Sequence, residues 1–203
     1  MACDITRGRL IDCKDGIGGL KAIYLPKKYS SNVLQKATIT DTEMTAADWE
    51  NWTAGSGAAS DGFELFKYDL VHNLSSMTVN VNSDNANGTT FFNQTLSITL
   101  QKIDHDMTNQ LRLIAYSRPQ IFVQDSMDKV YLIGVENGCH VTGGTVVTGT
   151  AMGDMQGYTI EWGADEKNAL IQLPVATDST ATDFPFSGLP AADITALKIT
   201  EGS

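Results

Sequence analysis

Between Gln94 and Trp162 the hydrophobic pattern switches period repeatedly, and this restricts the possible folds more than any other feature of the chain. The segments read QTLSITLQKID, HDMTNQLRLIAYS, RPQIFVQD, KVYLIGVENG and VTGGTVVTGTAMGDMQGYTIEWGA. Apolar residues at every second position mark a half-buried strand, and apolar residues three or four apart mark a helix face. The block therefore reads as strand, short helix, strand, hairpin, glycine-rich loop and strand. It offers many backbone edges and few groups able to do chemistry, which points to a protein that works by assembling with copies of itself.

The same periodicity extends to both sides. Gly19–Leu25 is expected to be a strand, with Leu20, Ala22 and Tyr24 on one face and Lys21, Ile23 and Leu25 on the other, ended or placed at an edge by Pro26. Phe63–Leu70 reads as a strand. Ser75–Asn82 alternates with Met77, Val79 and Val81 inward. After the turn cluster Ser83–Gly88, Thr89–Ile103 returns with Phe92, Leu96, Ile98 and Leu100 on one face, completing a hairpin. Met107, Leu111 and Ile114 form the stripe of an amphipathic helix over Asp104–Ser117, capped by Asp104 or Asp106 and stopped before Pro119. Gln120–Asp125 and Lys129–Val135 form a second hairpin around Ser126–Asp128. Asn137–Gly157 reads as a long loop or a flexible hairpin, and Gly157–Trp162 as a strand. Gln35–Thr40 reads as a short strand, Thr45–Trp52 as a short helix or turn, and Gly55–Gly62 as a linker. The expected organisation is a β-rich unit over 1–166, with an N-terminal arm, and a C-terminal appendage over 167–203. The apolar run Ile194–Ile199 is suited to add a strand to a sheet edge.

Composition narrows the function. At 203 residues, 42% hydrophobic and 19% charged, the chain is long and apolar enough to bury a core. A formal net charge of -10 disfavours a phosphate-binding surface, without excluding a protein past which DNA must slide. No apolar leader opens the chain, and no run approaches the length needed to cross a bilayer. Synthesis in the cytoplasm and no membrane contact are expected. Cys3, Cys13 and Cys139 are an odd number with no paired spacing, unlike a disulfide framework or a zinc site.

No catalytic signature is complete. Cys139-His140 reads as a buried thiol beside a surface histidine, with a metal or nucleophilic role as the sharper alternative. Asp104-His105-Asp106 reads as a helix cap rather than a ligand set, because consecutive helical residues diverge. Gly16-Ile17-Gly18-Gly19 lacks the last glycine of a dinucleotide fingerprint, where Lys21 stands, and no Gly-Lys-Ser/Thr follows. The glycine-rich loop carries no Lys or Arg between Gly134 and Gly163, so an inter-subunit arm suits it better than an anion cradle. Trp49, Trp52, Trp162 and Tyr158 are read as core or interface anchors, with a carbohydrate platform as the alternative. No cofactor, no metal and no catalytic residue is expected.

The opening ACDITRGRLIDCKDGIGGLKAIYL, together with GVENG, TGTAMGD and GYTIEWGA, resembles bacteriophage tail tube proteins over about three-quarters of the chain by our count. That resemblance implies a mainly β fold: a β-sandwich or rolled antiparallel sheet with one flanking helix on its outer face. It also implies hexameric rings whose inner strands close into a barrel and which stack into a tube. The protein itself would be the main partner. Sheath, tape-measure and terminator proteins are further partners, and DNA passes through the lumen without specific binding. The protein would reside in the virion. Thr142, Gly143, Gly144, Gly149, Met152, Gly153, Asp154 and Trp162 are the inter-subunit residues it suggests. Rival readings are a capsid decoration or head–tail connector ring protein, and a carbohydrate-binding β-sandwich.

Overall fold

The computed structural model describes residues 9, 14–26, 63–176, 178–181, 183–188 and 197–202. The elements expected at Gln35–Thr40, Thr45–Trp52 and Gly55–Gly62 lie outside these residues, as do Cys3, Cys13, Trp49 and Trp52. In chain order the strands and helix are β1 (Leu20–Pro26), β2 (Phe63–Asp69), β3 (Ser76–Asp84), β4 (Thr89–Gln101), α1 (His105–Tyr116), β5 (Ile121–Asp125), β6 (Val130–Ile133), β7 (His140–Val147), β8 (Gly157–Glu166), β9 (Ile171–Gln172) and β10 (Leu197–Glu201).

They form two sheets. The first has six strands in the order β10-β2-β1-β5-β6-β9, antiparallel except that β10 runs parallel to β2. The second has four antiparallel strands in the order β3-β4-β8-β7. Among the described residues the fold is mainly β, two packed sheets with one short helix and no closed barrel.

The period-2 alternation of side chains divides the core in two. Ile23, Leu25, Ile121, Val123 and Ile133 on one face of the six-stranded sheet meet Leu96, Ile98, Tyr158, Ile160, Trp162 and Ala164 of the four-stranded sheet. On the opposite face of the six-stranded sheet, Ala22, Tyr24, Leu65, Phe122 and Leu132 pack with Leu173 and Phe186. The six-stranded sheet is thus buried on both sides, which explains the unbroken apolar run Ala22-Ile23-Tyr24-Leu25 in its centre. The residues after Glu166 contribute to this fold directly: Ile171, Leu173 and Phe186 are core, and β10 lies on β2 from Leu197 opposite Phe63 to Glu201 opposite Lys67.

Two expectations are corrected. The helix does not lie on an outer face of a sheet. Its stripe of Met107, Leu111 and Ile114 packs into the core between the sheets, and Thr108 Oγ1 and the Asp104 backbone meet the Tyr158 hydroxyl beneath it at 2.7 and 2.9 Å. Its cap is as read, with the Asp104 side chain accepting from the Asp106 backbone N–H at 3.2 Å. Val81 does not face the core: it is 64% exposed, near the end of a β3–β4 hairpin whose residues 80–91 are all exposed and face no strand of the other sheet among the described residues.

Candidate assembly surface: the open four-stranded sheet

The four-stranded sheet is the part of the molecule whose two faces differ most. Its inner face belongs to the core. Its outer face follows from the register. Ser76, Thr78 and Asn80 of β3 lie beside Ser97, Thr95 and Asn93 of β4, and these lie beside Glu161, Gly163 and Asp165 of β8. Thr145 and Gly143 of β7 lie opposite Thr159 and Glu161. None of the chain's 14 lysines and arginines falls within β3, β4, β7 or β8, whereas Asp84, Glu161, Asp165 and Glu166 do. The outer face is a lattice of hydroxyls and amides with carboxylates, free of Lys and Arg; Asn93 Nδ2 donates to Asp165 Oδ1 across it at 2.8 Å.

Among the described residues, β3 and β7 each have a partner on one side only. Long open strands of this kind are templates for further pairing. Exposed apolar residues stand on the strands of these hairpins: Val81 (64%) and Phe91 (42%) on β3–β4 and Val146 (52%) on β7.

The segment expected to be a long loop or a flexible hairpin is the hairpin. His140–Val147 is strand β7, and the irregular part is confined to 148–156. Gly144 serves close approach: a Cβ there would sit 3.0 Å from the Thr159 carbonyl oxygen. A β-bulge between Val141 and Gly143 breaks the alternation that would have announced a strand. At the tip the Asp154 carboxylate accepts from the backbone N–H groups of Thr150 and Ala151 and from the Thr150 hydroxyl, which holds its pKa below the ordinary carboxylate value. Met152 is fully exposed there.

Among the residues expected to meet a neighbour, Thr142, Gly143 and Gly144 lie on the edge strand, and Gly149, Met152, Gly153 and Asp154 on the tip. Trp162 is separate from both: it is 1% exposed, deep between the sheets. Tyr158 is fully buried as well, so neither ring offers a face on which a sugar can stack.

Two buried polar side chains position the open strand. Gln94 of β4 accepts from the Gly134 N–H at 3.0 Å and donates to the Ala169 carbonyl at 2.9 Å, which joins the sheets. The Glu166 carboxylate, 3% exposed, receives the N–H groups of Glu136 and Asn137 at 3.1 and 3.0 Å, just where the chain crosses from β6 to β7. Cys139 beside them is buried, and desolvation, with the nearby Glu166 charge adding to it, pushes its thiol far above the usual range. A cleft of about 370 Å³ opens here between Arg118, Asn137, His140 and Asp165. Among the described residues no group of three or more His, Cys, Asp or Glu is placed to hold a metal. Comparison with protein-family models, with curated proteins and with solved structures returned no match.

Proposed function

We propose that the protein is a structural, non-catalytic subunit of a bacteriophage tail tube. In this reading its four-stranded sheets join edge to edge around a lumen and the resulting rings stack. The observation that carries it is the four-stranded sheet itself: open at both ends among the described residues, core on one face, hydroxyl- and carboxylate-bearing on the other, with no lysine or arginine in any of its strands.

Strand direction supports closure. β3, β4, β8 and β7 alternate in direction, so β3 and β7 run opposite ways. Rotation about a ring axis preserves each strand's direction along that axis. Setting β3 of one copy beside β7 of the next therefore continues the antiparallel order, whatever the ring number. Closure leaves no edge of the four-stranded sheets exposed. The strands of the outer face, turned to the lumen, give DNA phosphates no lysine or arginine to displace counterions, and Arg118 beside them shares its cleft with Asp165, so the duplex slides rather than sticks. Sheath, tape-measure or terminator proteins would meet the remaining surfaces, and the protein would reside in the virion.

Electron microscopy of the purified protein tests this reading. Rings or tubes with a central channel are expected. Closed rings that never stack would move the assignment to a connector or decoration role, and a monomer persisting at high concentration would reject assembly.

A further inference from the structure

The sequence holds two Asn-Gly pairs, Asn87–Gly88 and Asn137–Gly138, and the fold treats them differently. We propose that Asn87–Gly88, at the tip of the β3–β4 hairpin, is a site of spontaneous deamidation that replaces the Asn87 amide with a carboxylate, while Asn137–Gly138 is held inert. The inference is independent of the tail-tube reading.

In this reaction solvent base removes the proton from the Gly88 backbone nitrogen. That nitrogen attacks Cγ of Asn87, the Cγ–Nδ2 bond breaks, and the nitrogen leaves as ammonia after taking a proton from water. Water then opens the five-membered imide at either carbonyl, giving aspartate or isoaspartate at position 87. No electrons are exchanged, and water is the only co-reactant consumed. A following glycine favours ring closure because no β-carbon shields the attacking nitrogen or restricts its backbone.

At the tip, residues 84–88 are all exposed. Gly88 has φ +63° and open space where a side chain would be. Asn87 is tethered only locally, its Nδ2 and N–H both donating to the exposed Asp84 carboxylate. At the second pair the reacting groups are tied to the body of the fold. The Gly138 N–H, which would be the nucleophile, donates to the Gly134 carbonyl at 3.1 Å. Asn137 Nδ2 donates to the Asp165 carbonyl at 2.8 Å, and its N–H to buried Glu166 at 3.0 Å. Any side chain at Gly138 would collide with Arg118, so the backbone there has little room to pucker into an imide.

The product disturbs the tip. A carboxylate at position 87 loses its donor to Asp84 and faces a like charge. The isoaspartyl form also adds a backbone atom between Asp84 and Thr89, which pair in the hairpin.

Native protein incubated at mildly alkaline pH and mapped by peptide mass spectrometry, with aspartyl and isoaspartyl peptides separated, tests the proposal. A parallel sample in denaturant gives both pairs' unrestrained rates. Conversion at position 87 is expected to outrun that at 137 several-fold in the native protein and to match it when unfolded. Equal native rates, or native conversion confined to 137, overturn the proposal. Ion exchange should show an acidic species growing with the same time course in the wild type and missing in Asn87→Gln; its persistence in that variant also overturns it.

Discussion

Replacing Phe186 with alanine probes whether the chain beyond Glu166 is part of the fold's stability. Phe186 is 1% exposed and packs edge-on against Tyr24, with ring centroids 5.1 Å apart, and against Phe122 at 5.5 Å. It thereby covers the outer face of the six-stranded sheet at its central strands. Phe→Ala in a core costs about 3–5 kcal/mol, from lost transfer energy and the cavity left behind. Each edge-to-face pair contributes about 0.5–1.5 kcal/mol beyond the buried area, which places this site toward the top of that range. For a chain of this size a loss of about 4 kcal/mol lowers Tm by roughly 8–16 °C. Urea unfolding followed by far-UV circular dichroism reads the change as a lower midpoint at constant slope. A loss below about 1 kcal/mol, the usual cost at a surface position, would refute the reasoning. The segment would then be a detachable appendage and not the second wall of the core.

Further outcomes follow from single contacts. Because burial beside Glu166 holds the Cys139 thiol protonated, native alkylation at neutral pH should leave Cys139 unmodified and unfolding should expose it; rapid native labelling, read by peptide mass spectrometry, would contradict its placement. Between β2 and β10, Lys67 Nζ donates to Glu201 at 2.8 Å, which lowers the Glu201 carboxyl below its ordinary 4.5 and raises Lys67 above its ordinary 10.5. A lowered acid contributes stability above its unfolded value and loses it as pH falls through the folded one, whereas a raised base loses it as pH rises through the folded one. Protection of the β10 amides, taken as the exchange rate relative to an unstructured chain at the same pH, should therefore be greatest between those limits and fall on acidification, and Glu201→Gln should remove most of that acid dependence. Exposure of the pair keeps the effect small.

Much of this architecture was legible from period alone. Leu96-Ser-Ile98 and Tyr158-Thr-Ile160 alternate cleanly because one face is core and the other is wet, and the Met107-Leu111-Ile114 stripe marks a helix for the same reason. Strand β7 was obscured because Gly143 and Gly144 carry no side chain to show a face, and the bulge after Val141 shifts the alternation. Val81 misled in the opposite direction: the pattern continues along β3 after the sheet beneath it has ended. Parallel pairing of β10 with β2 joins segments far apart in sequence, and the apolar run Ile194–Ile199 can say that a strand suits an edge, its own or a neighbour's, without naming which edge or that the strand is Leu197–Glu201. Trp162 read as an inter-subunit residue, because large aromatics anchor interfaces as well as cores; in the structure it is buried between the sheets.

Amide hydrogen exchange measured strand by strand, in dilute and in concentrated protein, tests most directly the central claim that copies join through the two ends of the four-stranded sheet. The account predicts that amides of β3 and β7 become protected together on concentration, while those of β4 and β8, already paired on both sides, change little. Protection that appears only along β10 or β9, or none at either end of the four-stranded sheet in an assembled sample, would contradict it.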